Sequence, residues 1–170
     1  MRNHRLAALV AAAAMATASG LAVASPAHAG TAIFELQSAY NFGCLQPAGG
    51  SSGLGVVIVM EPCSDDNLAQ QWTVASASHG FHLVNRSTGL CLDARGGAVP
   101  WTPVEQWTCD WISNENWSWG SGHELASGVS GTFSYCVSTL SNPWPSWPGE
   151  HMFLWSCNGQ VEQLWGRPGV

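Results

Sequence analysis

Two residues in the segment from Cys91 to Cys109 have the chemistry to hold a polyhydroxylated ligand. They are Asp93, two positions after the first cysteine, and Trp107, two before the second. A carboxylate accepts hydrogen bonds from hydroxyl groups and a flat indole covers a patch of C–H groups; a pyranose offers both. Glu105 and Glu115 lie close by in sequence, and Asp93 with either would also make a carboxylate pair of the kind that flanks a glycosidic bond during hydrolysis. His79 and His82 in "HGFH" are the nearest approach to a metal pair, but no C-x-x-C pair accompanies them and ordinary strand or turn histidines account for them. Two structural alternatives stand beside a binding role. Asp93 can serve as a turn residue ahead of Arg95-Gly96-Gly97, and Trp107 can be buried if the strand phase slips at Gln106, a poor occupant of a core position.

The elements that position these residues recur. The first cysteine of each candidate pair stands at 44, 91 and 136, the second at 63, 109 and 157, and a tryptophan follows at 72, 117 and 165. Three landmarks share one spacing of about 45 residues, which marks three copies of one unit. Six cysteines alone permit 15 connectivities. Repetition selects Cys44 with Cys63, Cys91 with Cys109 and Cys136 with Cys157, each closing a loop of about 20 residues and contributing on the order of 3 kcal/mol in the chain-entropy account.

Segments such as "VVIVM", "FHLVN" and "HMFLW" are short, β-branched or aromatic, and separated by Gly, Ser, Asn and Pro clusters, so the protein is expected to be all-β. Alternation along the strands before each second cysteine sorts their side chains into two rows. Ile58, Met60, Val104, Gln106, Met152 and Leu154 form a mostly apolar core row, and Val59, Glu61, Glu105, Trp107, Phe153 and Trp155 share the other face.

The N-terminus carries Arg2 and Arg5, an Ala/Leu/Val run broken by Thr17, Ser19 and Gly20, and then Ala27-His28-Ala29. That pattern predicts a secretory signal peptide over 1–29 rather than a membrane anchor. A mature chain of 141 residues from Gly30 suits one domain. It holds three arginines, no lysine and eleven acids, a formal charge of −8. Such a balance argues against nucleic acid or an anionic membrane as partner, which require clustered cations, and leaves neutral or cationic ligands. Six cysteines in an exported chain fit disulfides formed in an oxidising compartment.

With Gln70-Gln71-Trp72, Gln163-Leu164-Trp165, "TGLCLDARGG" and "CNGQVEQLW" at threefold spacing, the chain resembles the ricin-type (ricin B chain-like) lectins in their secreted bacterial form. These are β-trefoils whose units each end in a Q-x-W motif. The resemblance covers essentially residues 30–170, with units over about 30–77, 78–124 and 125–170, and departs at Glu115-Asn116-Trp117. It implies a sugar site built from an Asp two after the first cysteine, an aromatic on the strand before the second, and an Asn beside the Q-x-W. In the middle unit these fall on Asp93, Trp107 and Asn114, with Glu105 and Glu115 where the family usually has glutamines. The first unit has Gln46, Glu61 and Ala69 at the same positions and is expected not to bind. The third has Ser138 and Glu162, with Trp155 supplying a ring as a second candidate site. Trp72, Trp117 and Trp165 are expected in the core, with the preceding Gln or Glu bonding to nearby backbone.

The function expected is a secreted lectin-like module, non-catalytic and without cofactor or metal, that binds a galactose-like or xylan-type glycan. A protease-inhibiting or protein-binding trefoil is the alternative, and a glycoside hydrolase a weaker one. Trp144 and Trp147 in "SNPWPSWPGE" are either a further stacking platform or packing beneath the barrel.

Overall fold

The computed structural model describes residues 32–140 and 148–166; residues 1–29, Trp144 and Trp147 lie outside them. The apolar runs form strands where the patterning predicts them. The first unit contributes β1 (Ile33–Glu35), β2 (Gln37–Ser38), β3 (Cys44–Pro47), β4 (Val56–Glu61) and β5 (Gln71–Ser76). The second contributes β6 (Phe81–Asn85), β7 (Cys91–Asp93), β8 (Glu105–Trp107) and β9 (Trp117–Trp119). The third contributes β10 (Leu125–Ser127), β11 (Tyr135–Ser138), β12 (Glu150–His151), β13 (Phe153–Ser156) and β14 (Trp165–Gly166).

Successive units are joined edge to edge by β5 with β6 and β9 with β10, and β14 returns to β2, so the antiparallel sheet curls around on itself. The threefold relation is written in three backbone bonds. Ile58 N–H donates to Val104 O at 2.8 Å, Val104 N–H to Met152 O at 3.0 Å, and Met152 N–H to Ile58 O at 2.8 Å. Each of these equivalent residues donates to the next around a closed ring, the arrangement of a β-trefoil.

The recurring tryptophans fill the centre. Trp72, Trp117 and Trp165 are buried, and each indole N–H donates to the carbonyl of the residue after a first cysteine: Leu45 at 3.2 Å, Leu92 at 3.0 Å and Val137 at 3.1 Å. A large ring is thus both packed and satisfied, as buried indoles usually are. The three disulfides pair as repetition predicts.

The core row is also as predicted, Gln106 included: it is fully buried like its neighbours Val104, Met152 and Leu154. Its amide NH2 donates to Ser51 O at 2.7 Å and Gly53 O at 2.8 Å, and its Oε1 accepts from Thr88 Oγ1 at 3.0 Å. A polar group survives burial because every hydrogen-bonding demand is met, and the strand phase at β8 does not slip. Gln106→Leu is expected to lower stability by about 2 kcal/mol by stranding those carbonyls, measured in urea, and to speed proteolysis within residues 51–53.

Candidate functional site

In β7 and β8, Cys91 faces Trp107 and Asp93 faces Glu105. Alternation puts all four side chains on one side of the ribbon, and makes Asp93 and Trp107 diagonal neighbours, with Cα atoms on the order of 7–8 Å apart, within reach of long side chains. Trp107 and Glu105 are half-buried and Asp93 is fully buried.

Asn114 holds Asp93 from the far side. Its Nδ2 donates to Asp93 Oδ2 at 2.6 Å, and its backbone carbonyl accepts from Ala94 N–H at 2.9 Å. Asp93 Oδ1, by contrast, is buried with no hydrogen-bond partner among the described residues. A buried acceptor left unpaired costs about 1–3 kcal/mol, so this oxygen has a strong demand for a donor. Burial, opposed by the Asn114 bond and reinforced by Glu115 and Glu105, pushes the Asp93 carboxyl up to about 6, with Arg95 pulling the other way.

Arg95 is the residue that sequence reasoning passed over. Its guanidinium lies 3.7 Å from the Trp107 ring centroid, and its Nη1 is 3.6 Å from Glu105 Oε1. The side chain is 52% exposed, so the ion pair and the cation–π contact together are worth only about 1–2 kcal/mol. Arg95 therefore covers the indole without being locked there. Arg95, Gly96, Pro103 and Glu105 line a cavity of about 340 Å³. The sequence signal was present, since Arg95 follows Asp93 by two positions, but beyond the end of β7 alternation no longer assigns a face.

Glu115, expected among the ligand contacts, has a different task. It is fully buried, with Oε1 accepting from Asp110 N–H at 2.9 Å and Oε2 from Trp111 N–H at 2.7 Å. Gln70 and Gln163 do the equivalent work, accepting from Ser64 N–H at 2.8 Å and Asn158 N–H at 2.9 Å. These glutamines also donate to the carbonyls of Pro62 and Ser156. A carboxylate cannot donate, and Glu115 takes a second backbone N–H instead. It shapes the loop that carries Asn114.

The first unit is closed at the same place. Gln46 Oε1 accepts from both Asn67 Nδ2 at 3.0 Å and Gln70 Nε2 at 3.1 Å, so its acceptor is already occupied. In the third unit Ser138 is buried and its Oγ donates to Thr139 O at 3.2 Å. There Trp155 and Phe153 line a cavity of about 410 Å³ together with Glu162 and, from the second unit, Trp101. His82 is buried, its Nδ1 3.0 Å from Glu115 O, and its ring meets Trp111 edge-on at 4.9 Å. It is a packed strand histidine, with His79 exposed on the turn before it.

Residues 32–165 match the family of ricin-type beta-trefoil lectin domains. The chain belongs to that family. Ricin-type lectin domains bind carbohydrate in general and are typically non-catalytic. Similar solved structures include a designed threefold-symmetric protein, ThreeFoil, at 22% identity and TM-score 0.69, covering 79% of this chain and 96% of that one. An exo-β-1,3-galactanase from Clostridium thermocellum aligns at 23% identity and TM-score 0.72 over 82% of this chain and 30% of its own. The C-half of an earthworm R-type lectin, solved in complex with GalNAc, aligns at 16% identity and TM-score 0.62 over 82% and 99%. At these identities the likeness is one of fold. No curated protein matches this ricin-type domain in sequence.

Proposed function

We propose that the protein is a secreted carbohydrate-binding module whose middle unit holds one saccharide of galactose-like or xylan-type configuration. Its contacts are Asp93, Glu105 and Trp107, with Asn114 and Glu115 positioning them. The observation that carries this reading is Asp93 Oδ1, a buried acceptor without a partner among the described residues, in the unit whose outer face also presents an indole. A sugar hydroxyl donating to that oxygen satisfies it, and the pyranose C–H patch replaces the Arg95 guanidinium on Trp107. Three disulfides involving all six cysteines support export to an oxidising compartment.

A glycan array tests this with wild-type protein, Asp93→Ala and Arg95→Ala. Wild type is expected to bind a restricted set of glycans, and Asp93→Ala to lose them. Arg95→Ala, freed of a competitor held by about 1–2 kcal/mol, is expected to bind about five- to thirtyfold more tightly. Retention of proteases in place of glycans would favour the protein-binding reading, and release of reducing ends a hydrolase. Binding that survives Asp93→Ala on every glycan would remove the middle unit from the account.

A further inference from the structure

The middle unit's site already contains a cation. Arg95 lies over the Trp107 ring, 3.7 Å from its centroid, with Nη1 3.6 Å from Glu105 Oε1. A saccharide that stacks on Trp107 has to take the place of this guanidinium. The combination is peculiar to this unit. Where it has Asp93, Glu105 and Trp107, the first unit has Gln46, Val59 and Glu61, and the third has Ser138, Phe153 and Trp155.

The nature of the replacement decides what the exchange costs. A neutral pyranose restores the contact with the ring but leaves Glu105 without its counter-charge. A ligand that brings a positive charge of its own restores both, and Arg95, which is half-exposed, then turns into solvent at little loss. Room for such an exchange is kept by a glycine. A Cβ at Gly55 would lie 3.4 Å from Trp107 Cζ3, 3.7 Å from Glu105 Oε2 and 3.9 Å from Arg95 Nη1. Gly55 has φ 69°, a conformation that disfavours any side chain there.

The surrounding charge points the same way. Asp93 and Glu105 are directly opposed across β7 and β8, which sets their Cβ atoms on the order of 4.5–5.5 Å apart. Asp93 is fully buried, and its Oδ1 has no hydrogen-bond partner among the described residues. Apart from Arg95, residues 30–170 hold only Arg86 and Arg167 as arginines, with no lysine and eleven acids. A field of that sign concentrates cations at the surface and repels anions.

We propose that the middle unit selects a cationic amino sugar, a pyranose of galactose configuration with a free ammonium group next to a hydroxyl, over its neutral counterparts. The inference rests on the reading of this unit as the sugar site and adds the charge of the ligand. The hydroxyl donates to Asp93 Oδ1, the neighbouring ammonium donates to Glu105, and the C–H patch covers Trp107. Substituents on adjacent ring carbons suit two carboxylates that face each other across one strand pair. An N-acetyl group in place of the ammonium removes the charge and leaves Glu105 unpaired. Polymers of de-N-acetylated galactosamine are the extended ligand of this class.

Titration calorimetry at about pH 7, where a sugar amine is largely protonated, separates the charge from the site. Wild type is expected to bind galactosamine about fivefold more tightly than galactose or N-acetylgalactosamine. The preference is expected to shrink toward parity in about 1 M salt, where charges are screened over about 3 Å. Glu105→Gln keeps an acceptor and removes the charge. It is expected to bring galactosamine and galactose within about twofold of each other, and Asp93→Ala to lose both. Equal binding of galactose and galactosamine by wild type would overturn this proposal alone and leave the sugar site standing. A preference for galactosamine that persists in Glu105→Gln or in high salt would overturn it too. Binding of neither sugar would overturn it together with the reading of the middle unit.

Discussion

Trp117→Ala is expected to lower the stability of the protein by roughly 3–5 kcal/mol, read as a fall in urea midpoint, with sugar binding lost only because the fold is lost. The ring is fully buried and its N–H satisfies Leu92 O, so truncation leaves a large cavity and a stranded carbonyl in the strand that ends at Asp93. Trp107→Ala, in the same unit, is expected to behave oppositely. That indole is half-buried on the outer face, and its main intramolecular partner is the Arg95 guanidinium. Its removal should cost about 1 kcal/mol or less, yet abolish the fluorescence change on sugar addition. A collapse in stability with Trp107→Ala would show the ring to be structural.

The second large effect is on pH dependence. Asp93 is pushed up to about 6 from 3.8, by burial above all. Its folded-state value is therefore above its unfolded one, and the folded state binds the proton more tightly. The contribution to stability is fully present below about pH 4 and is lost as pH rises through about 6. The buried Glu35, raised by burial and by Asp65, acts in the same direction. Asp93→Asn removes the Asp93 part, so its stability relative to wild type should rise from pH 4 to pH 7, measured by urea unfolding at both. Sugar binding runs the other way. A hydroxyl donating to Oδ1 favours the carboxylate, so affinity should fall roughly tenfold between pH 7 and pH 5. A flat profile in wild type would mean that the ligand does not use this carboxylate.

Much of the fold was legible because a threefold repeat leaves the same landmarks three times. The spacing of Cys44, Cys91 and Cys136 against Cys63, Cys109 and Cys157 specified the disulfides, and alternation placed Trp107 and Glu105 on the face opposite Val104 and Gln106. Gln106 read as a weak core residue because composition does not reveal the carbonyls of Ser51 and Gly53 that wait for it. Those partners are in another unit, and only the closed barrel brings them together. Position alone assigns Glu115 to the ligand, yet its oxygens are taken by the backbone of its own loop, a competition that residue type cannot show. Arg95 escapes a reading by alternation because it lies past the strand that would have given it a face.

The middle-unit site is tested most directly by following the indole N–H resonances of the protein during a galactose titration, with Trp107 assigned through Trp107→Phe. The Trp107 signal is expected to shift in a saturable way, and the shift to disappear in Asp93→Ala, while the buried indoles of Trp72, Trp117 and Trp165 stay in place. A Trp107 resonance that does not move while another indole responds to the sugar would contradict the account.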